Sequence, residues 1–544
     1  MRRAFMSTTI AAFLLAASVQ TGSAKPGDPL DAPPAGLVPT SEHLSEILAA
    51  HVRAVGTPVG PDTVIEDWRF TDSGMTGTEH LERAGMDYHS RIVSGPFVEE
   101  YGQSNGKRWH RDYDGFVTPT TTTDNLTFFA ERVNEDAADP KNDASVAGVT
   151  QGGNPAYVVR VKRQEDRHPE WIFYDVATGL IRRVEWVTGD DRRIVSLYDD
   201  FRTAGGLTTA WHVHDDWDPR QLDDDYVRTA MQVGAAVDRA QFLQPSSTPR
   251  NPPSSVELRI PAQMYDDGTI IMRMTVNGRG LDMLLDTAVN ENVIDERVAE
   301  QLGLPTYGHV DRGDADVMFP FETSIPASTI GPLAETNVAI RAEPFNFQWS
   351  RHIEVVGVLG YDFLANNVLK IDYYAAAIDV MPVSEFDAQD PVPGGISYPL
   401  DLDDGLPFLA LRVGNVTSTD VLLANEIDHS EFFGSFVEAH SDVFPKPATA
   451  ARQSDELPFA DNGSFGRRIE RWRAQPSDVH FGAVDFQQPL VRASTYPLYL
   501  SQDRPVDGAI GFDFLRFFDV YLDYPHDRLI VAPNHYLLQL QHHA

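Results

Sequence analysis

The chain has 544 residues, of which 42% are hydrophobic and 10% aromatic, so it has enough apolar side chains for several folded domains. It contains no cysteine, which excludes disulfide bonds, cysteine nucleophiles and zinc–thiolate sites. Its formal net charge of −36 argues against nucleic acid as a partner.

Residues 1–24 have the pattern of an export signal peptide. Two arginines precede an apolar run from Ile10 to Val19, and small residues follow at positions 22–24. The run is too short to stay as a transmembrane helix, so the mature chain is predicted to lack an integral membrane segment and to be periplasmic or secreted. Residues 25–40 are rich in Pro, Gly and Ala and predict a flexible arm.

Residues 41–243 predict an antiparallel β domain. A short helical pattern comes first, beginning after Ser41 with Leu44, Ile47 and Leu48 on one face. Alternation of polar and apolar residues then dominates, with glycine-containing turns between strands, as in "WIFYDVATGLIRRVEWV" (171–187). With "WHRDYDGF" and "LYDDFRTAGGL", this segment resembles the half-barrel of periplasmic lipoprotein carriers. The resemblance implies a concave sheet, which in that family holds acyl chains; a sheet that serves only as a scaffold is the alternative.

The stretch "QPSSTPRNPPSS" (244–255) contains four prolines and predicts a linker, after which the chain is expected to fold separately. Residues 256–392 and 393–535 then carry one pattern twice, before a tail at 536–544. The first copy contains "DMLLDTAVNENVID" and later "VVGVLGYDFL"; the second contains "DVLLANEIDHSEFF" and later "VDGAIGFDFL". In both copies an apolar strand ends in a loop, a short glycine-containing strand follows, and a short helix begins after it. Two homologous lobes are therefore predicted.

This ordered pattern resembles the retropepsin-like, or pepsin-like, aspartic peptidases of bacterial exported proteins, over about residues 256–535. The resemblance implies a mainly β chain in which the N-terminal sheet is followed by two tandem β-barrel lobes. It assigns the catalytic carboxylate to Asp286 and a hydroxyl that bonds across the lobe interface to Thr287. Ala288 departs from the family's usual glycine. Gly357 and Gly508 are predicted where backbones approach closely beside the cleft.

An aspartic peptidase needs two carboxylates that share one proton, because one must activate water while the other polarises the scissile carbonyl. Alignment of the two copies places Ala424 where the second aspartate is expected. Glu426 and Asp428 lie within four residues of that position and are candidates for a surrogate carboxylate.

Three interpretations stay open. Two chains could pair their first lobes as a homodimer, although the second lobe should already occupy that surface. Glu426 or Asp428 could complete an atypical pair. The protein could also bind peptide or lipid without cutting, as an inactive pseudo-peptidase.

No cofactor or metal is predicted. His212 and His214 share a face of a predicted strand near Asp215 and Asp216, which could suggest a metal site, but no further ligand is indicated and a polar scaffold face is the preferred interpretation. The predicted partner is a polypeptide substrate or ligand, and the function is an exported aspartic endopeptidase if the chain is active.

Overall fold

The computed structural model describes residues 29–72, 74–120, 134–163, 168–187, 193–217, 223–308, 321–343, 354–446, 471–495, 498–500 and 504–543. The predicted signal peptide lies outside these residues. The fold is mainly β, as the sequence predicts. Among the described residues, no helix combines the length and the apolar character that crossing a membrane requires.

The first part of the chain forms one antiparallel sheet, here called the N-terminal sheet, in the spatial order β1-β8-β9-β10-β11-β12-β13-β14-β2-β3-β4-β5-β6-β7. Its strands are β1 (Leu37–Val38), β2 (Thr63–Asp72), β3 (Met75–Ala84), β4 (Asp87–Ser94), β5 (Phe97–Ser104), β6 (Lys107–Arg111), β7 (Val117–Pro119), β8 (Asp143–Thr150), β9 (Ala156–Lys162), β10 (Glu170–Asp175), β11 (Ile181–Val187), β12 (Arg193–Ala204), β13 (Leu207–Trp217) and β14 (Asp224–Val233).

One helix, α1 (Leu44–Val55), packs on this sheet through the predicted apolar face. It begins two residues later than the sequence suggests, with His43 rather than Ser41 at its N-cap. The described end of the predicted flexible arm is also attached. Strand β1 pairs with β8 at the edge of the sheet, and Asp31 Oδ1 lies 2.8 Å from Nδ1 of His168.

Lobe 1 is a closed barrel, because β17 pairs with both β18 and β20 in the order β16-β17-β18-β22-β19-β21-β20. Its strands are β16 (Ala262–Met264), β17 (Ile270–Val276), β18 (Arg279–Leu285), β19 (Val293–Asp295), β20 (Phe321–Ile330), β21 (Leu333–Glu343) and β22 (Gly357–Leu359). Two helices accompany them: α2 (Glu296–Leu302) and α3 (Tyr361–Ala365).

Lobe 2 has the same central arrangement, in the order β30-β33-β29-β36-β28-β27-β31-β32, with β26 beside β27. Its strands are β26 (Asp401–Asp403), β27 (Leu406–Val413), β28 (Val416–Leu423), β29 (Glu431–Phe432), β30 (Arg471–Ala474), β31 (Asp478–Phe481), β32 (Val484–Gln487), β33 (Val491–Ser494) and β36 (Gly508–Ile510). Strands β34 (Leu498–Leu500) and β35 (Arg504–Val506) form a separate pair. The helices are α4 (Gly434–Ala439) and α5 (Phe512–Leu515), so both predicted short helices, "YDFL" and "FDFL", are confirmed.

The final hairpin of each lobe contributes to a further sheet that the lobes share, in the order β15-β24-β23-β37-β38-β25. Its strands are β15 (Leu258–Ile260), β23 (Val368–Asp372), β24 (Ala377–Met381), β25 (Ile396–Pro399), β37 (Phe518–Asp523) and β38 (Arg528–Pro533). One hydrophobic core runs through both lobes and this sheet. The predicted tail forms helix α6 (His535–His543).

The predicted linker at 244–255 contains no helix or strand, but it does not release the lobes from the N-terminal sheet. Thr248 N donates to Gly115 O at 2.8 Å, and Thr336 N of lobe 1 donates to Asn251 Oδ1 at 2.9 Å. Phe116, between β6 and β7, belongs to the core of the lobes. These contacts were not predicted, because nothing local in the sequence indicates them.

Candidate active site at the lobe junction

Two equivalent loops, one from each lobe, meet at the junction. Each begins where a buried strand ends, β18 at Leu285 and β28 at Leu423. In lobe 1, Asp286 N donates to Leu359 O at 3.1 Å; in lobe 2, Ala424 N donates to Ile510 O at 3.0 Å. The loops are therefore held by the same backbone contact, and we call residues 286–292 the first dyad loop and 424–430 the second.

The strands that hold these loops begin with Gly357 and Gly508. A methyl group at Gly357 would lie 2.2 Å from Val293 O, and one at Gly508 would lie 2.5 Å from the Phe432 ring. Both contacts are closer than a side chain permits. Gly357 shows the predicted close approach of another backbone, whereas Gly508 mainly leaves room for the Phe432 ring. Both residues are buried within the lobe sheets beside the dyad loops.

Thr287 and Asn425 lock the two loops together with four hydrogen bonds. Thr287 Oγ1 donates to Leu423 O at 2.7 Å and accepts from Asn425 N at 3.1 Å. Asn425 Oδ1 accepts from Thr287 N at 2.8 Å, and Asn425 Nδ2 donates to Leu285 O at 3.0 Å. The sequence pointed to the Thr287 hydroxyl but missed its amide counterpart. A homodimer that pairs two first lobes would have to break all four bonds.

The carboxyl groups of Asp286 and Glu426 interact across this junction. Asp286 is 0% exposed and Glu426 is 2% exposed. Asp286 Oδ1 accepts from Ala288 N at 2.8 Å. In the described part of the chain, Asp286 Oδ2 and both Glu426 carboxyl oxygens form no conventional hydrogen bond to any other group. A proton held between the two carboxyls would satisfy Asp286 Oδ2 and one of the two Glu426 oxygens.

Burial raises the pKa of Asp286 to about 6, although the neighbouring Glu426 side chain and the hydrogen bond from the Ala288 amide act in the opposite direction. Burial and the charge of Asp286 raise the pKa of Glu426 well above its ordinary value. Like charges in contact cannot both ionise readily, so near neutral pH Glu426 holds the proton and Asp286 is the group that ionises.

Asp428, the other candidate, does not join this pair. It is directed outward, where Oδ2 lies 2.9 Å from Nδ1 of His429 and Oδ1 lies 3.2 Å from Nη1 of Arg492. Ala424 is fully buried in an apolar cluster with Ala288, Phe408 and other lobe 2 residues. The aligned aspartate position is therefore apolar, and the second carboxyl is supplied two residues further along the loop.

Two tyrosines that the sequence analysis missed flank the pair from equivalent positions in the shared sheet, Tyr373 after β23 and Tyr524 after β37. Burial and the charge of Glu426 raise the pKa of Tyr373 above its ordinary value, and burial with the charges of Asp286 and Glu426 raises the pKa of Tyr524 well above its ordinary value. Both hydroxyls therefore stay protonated. The equivalent spacing in "IDYYAAAIDV" and "LDYPHDRLIV" was the available signal.

The predicted histidine face lies on strand β13 of the N-terminal sheet and not at the dyad loops. His212 Nδ1 lies 2.8 Å from Asp199 Oδ1, and its Nε2 lies 2.7 Å from Asp225 Oδ1, while His214 Nδ1 is 3.6 Å from the same oxygen. Within the described ranges, no group of three or more His, Asp or Glu side chains is arranged to hold a metal ion.

Comparisons with known proteins show similarity over parts of the chain. The aspartyl protease family model matches residues 272–363, which include the first dyad loop and β22. No curated protein matches the chain.

Three solved structures show similarity at low identity. A LolA superfamily protein from Nitrosomonas europaea is 10% identical, with 38% of this chain and 99% of that chain covered and a TM-score of 0.30. Basic 7S globulin from soybean is 13% identical, with 51% and 96% covered and a TM-score of 0.31. A retropepsin-like aspartic protease from Rickettsia conorii is 16% identical, with 23% and 89% covered and a TM-score of 0.17. In sequence, residues 272–363 are thus similar to aspartyl proteases.

Proposed function

We propose that this protein is an exported aspartic-type endopeptidase whose catalytic pair is Asp286 and Glu426. The observation that carries the proposal is the interaction of these two buried carboxyls at the lobe junction, with loops locked together by Thr287 and Asn425. The leader pattern at residues 1–24 supports export to the periplasm or the outside of the cell, and the internal repeat supports descent of both lobes from one duplicated unit.

The two carboxyls have different roles. Asp286 has the lower pKa, so its carboxylate takes a proton from water while the oxygen of that water attacks the peptide carbonyl carbon. Glu426 gives its proton to the carbonyl oxygen, which yields a neutral tetrahedral diol. Asp286, now protonated, gives that proton to the amide nitrogen while Glu426 takes one back from a diol hydroxyl. The carbon–nitrogen bond then breaks, a carboxylic acid and an amine leave, and the pair returns to its starting protonation state. One protonated and one ionised carboxyl are sufficient for each turnover.

Activity should therefore need Asp286 ionised and Glu426 protonated, which places the active range around and above pH 6. The test is cleavage of an unfolded polypeptide by the purified mature protein from pH 3 to pH 8. The wild type is measured beside Asp286→Asn and Glu426→Gln, with Asp428→Asn as the matched control on the same loop. We expect both dyad variants to lose at least about 100-fold in kcat/KM while the control keeps its activity. Equal cleavage by all four proteins, or none by any, would remove the peptidase proposal.

Complete burial of the dyad favours the alternative of an inactive module that binds peptide or lipid without cutting it. Ala288 contributes to this burial, because its methyl group packs into the apolar cluster of lobe 2. The two functions differ in a binding measurement. If an unfolded polypeptide is retained with equal affinity by wild type and Asp286→Asn, and is never cleaved, the binding module is the better description.

A further inference from the structure

One segment at the edge of the N-terminal sheet contacts both lobes. We call residues 112–119, which comprise the turn after β6 and strand β7, the junction loop. The Phe116 ring joins the core of the lobes, with its centroid 6.0 Å from that of Tyr361 in an edge-to-face contact. Asp114 Oδ1 accepts from Ala339 N of lobe 1 at 3.4 Å, and Pro119 O accepts from Asp404 N of lobe 2 at 3.4 Å. The junction loop therefore contacts both halves of the proposed catalytic unit.

The residues beneath the junction loop hold the first dyad loop directly. Tyr361 N donates to Val289 O at 2.8 Å. The neighbouring carboxylate, Asp362 Oδ2, accepts from Asn292 N at 2.7 Å. Val289 and Asn292 both belong to the first dyad loop, three and six residues after Asp286. A shift of the junction loop that moved Tyr361 or Asp362 would therefore also displace the first dyad loop, which carries the proposed catalytic aspartate.

This contact gathers acidic side chains from three elements. Asp112 and Asp114 come from the junction loop, Asp362 from α3 and Glu335 from β21. Asp114 and Glu335 are buried, while Asp112 and Asp362 are half-buried. Other charged groups face this cluster. Glu291 of the first dyad loop faces Asp362, and Arg250 faces Asp114. Asp527, in the turn between β37 and β38, faces Tyr361. Asp112, Asp114 and Asp362 interact electrostatically, so they would repel each other if all of them ionised.

We propose that the junction loop is a proton-dependent clamp, which stays docked between the lobes while Asp112, Asp114 and Asp362 are protonated and is released when they ionise. The docking is independent of the proposed function, and only its consequence for the first dyad loop rests on that function. Phe116 is a positioning residue in this arrangement, because it acts on the dyad loop through Tyr361.

The direction of the pH effect follows from the docked state. Burial raises the pKa of Asp112 to about 8, with the charge of Asp114 adding to it, and burial raises the pKa of Asp114 to about 6. Burial and the two junction-loop aspartates raise the pKa of Asp362 well above its ordinary value. In a released loop these carboxyls return toward about 4. The docked form therefore binds more protons, and docking weakens as pH rises from about 4 through the range of 6 to 8.

The absence of cysteine allows a direct measurement, since two introduced cysteines would be the only thiols. Met86→Cys on the N-terminal sheet and Leu490→Cys on lobe 2 replace exposed side chains and accept spin labels. The distance distribution in the full chain is recorded by pulsed electron spin resonance at pH 5 and pH 9. We expect one narrow distance at pH 5 and at least a tenfold larger population of longer distances at pH 9.

Two variants separate the clamp from a general loosening. Asp112→Asn/Asp114→Asn should keep the narrow distance at both pH values, while Phe116→Ala should broaden it already at pH 5. Asp513→Asn, on the equivalent helix of lobe 2, is the matched control and should respond like the wild type. A narrow distance in the wild type at pH 9 would overturn the clamp. So would a wild-type pH response in the double variant, a broad distribution in that variant at both pH values, or loss of the circular dichroism of the sheets in step with the distance change.

Discussion

The two dyad loops share a backbone and differ in their chemistry. Three consecutive side chains, Asp286, Thr287 and Ala288, are matched in lobe 2 by Ala424, Asn425 and Glu426. Around them the hydrogen bonds are equivalent. Tyr361 N donates to Val289 O as Phe512 N donates to Ile427 O, Gly360 N donates to the Asn292 side chain as Gly511 N donates to the Ser430 side chain, and Arg341 N donates to Asn292 O as Arg492 N donates to Ser430 O.

The comparison shows that the backbone shape of a dyad loop does not depend on the position in the loop that carries the carboxyl group. A loop fixed by backbone hydrogen bonds keeps its shape when its side chains change, because the bonds that define it involve groups every residue carries. Glu426 starts two residues after the aligned position and has one more methylene than aspartate. That extra reach brings its carboxyl to Asp286 from a position where lobe 1 has only a methyl group.

The strongest way to break the comparison is to return the carboxyl to its aligned position. Glu426→Ala copies the residue that lobe 1 has there and should lower kcat/KM at least about 100-fold, because no proton donor remains opposite Asp286. Adding Ala424→Asp should recover at least tenfold, since Ala424 N makes the same backbone bond as Asp286 N. Steady-state kinetics on an unfolded polypeptide provide the measurement. A double variant no more active than Glu426→Ala would show that the loops are not interchangeable.

The second prediction concerns the lock between the loops. Asn425→Ala removes two hydrogen bonds and leaves Thr287 N and Leu285 O buried without these partners. We expect a loss of about 2–4 kcal/mol in the free energy of unfolding, from the cost of burying unsatisfied groups. Urea unfolding followed by circular dichroism measures it. Thr287→Val is the matched variant in lobe 1 and should lose a similar amount; an unchanged Asn425→Ala midpoint would contradict the lock.

The general architecture could be predicted from the sequence, because it is encoded by local signals. Alternation with glycine turns predicted the antiparallel sheet, and the repeated apolar strand followed by "GYDFL" or "GFDFL" predicted two β lobes with short helices. The position of Asp286 followed from the same pattern. Each of these signals consists of short segments whose order can be seen along the chain, so it can be recognised without knowledge of the tertiary contacts.

The rest depended on contacts between distant residues. Sequence alone left Glu426 and Asp428 as equal candidates, since only the local backbone decides which of them is directed toward Asp286 and which toward Arg492. Asn425 was missed because the sequence does not show that its side-chain amide takes the place of a second threonine hydroxyl in the hydrogen bonds between the two dyad loops. The junction loop was missed because "WHRDYDGF" indicated only the N-terminal sheet, whereas Phe116 contacts Tyr361, which lies 245 positions further along the chain.

A third prediction uses the pH dependence of stability. The pKa values of Asp286 and Glu426 are both raised in the folded protein, so the folded state binds more protons than the unfolded state above about pH 4. The contribution of these two groups to the free energy of unfolding is therefore largest at acid pH, and it falls as pH rises from about 4 through about 6. Glu426→Gln removes one of the two titrating groups and should be about 1–3 kcal/mol more stable than wild type at pH 8, with little difference at pH 4.

Thermal or urea unfolding at both pH values tests this prediction. Asp428→Asn is the control on the same loop, because Asp428 is directed outward and its replacement should change stability by about 0.5 kcal/mol or less at either pH. Parallel pH profiles for wild type and Glu426→Gln would mean that the two carboxyls do not share a proton in the folded chain.

The smallest predicted effect is a difference in stability between variants of Asp362 and Asp513, which lie at equivalent positions in helices α3 and α5. Each accepts a hydrogen bond from a dyad-loop amide, and burial raises the pKa of both. Their neighbours differ: Asp362 faces Asp112 and Asp114, whereas Asp513 faces His429 and Arg516. At pH 8, Asp362→Asn relieves repulsion and should gain about 1 kcal/mol relative to Asp513→Asn, which gives up favourable charge pairs. The difference in stability between the two variants should close below pH 5, where the junction-loop aspartates are protonated.

Urea unfolding of both variants provides the measurement. Because both variants make the same chemical change at matched positions of the two lobes, a difference between them isolates the electrostatic contribution of the junction loop. Equal pH profiles would mean that the charges of the junction loop do not affect the first dyad loop.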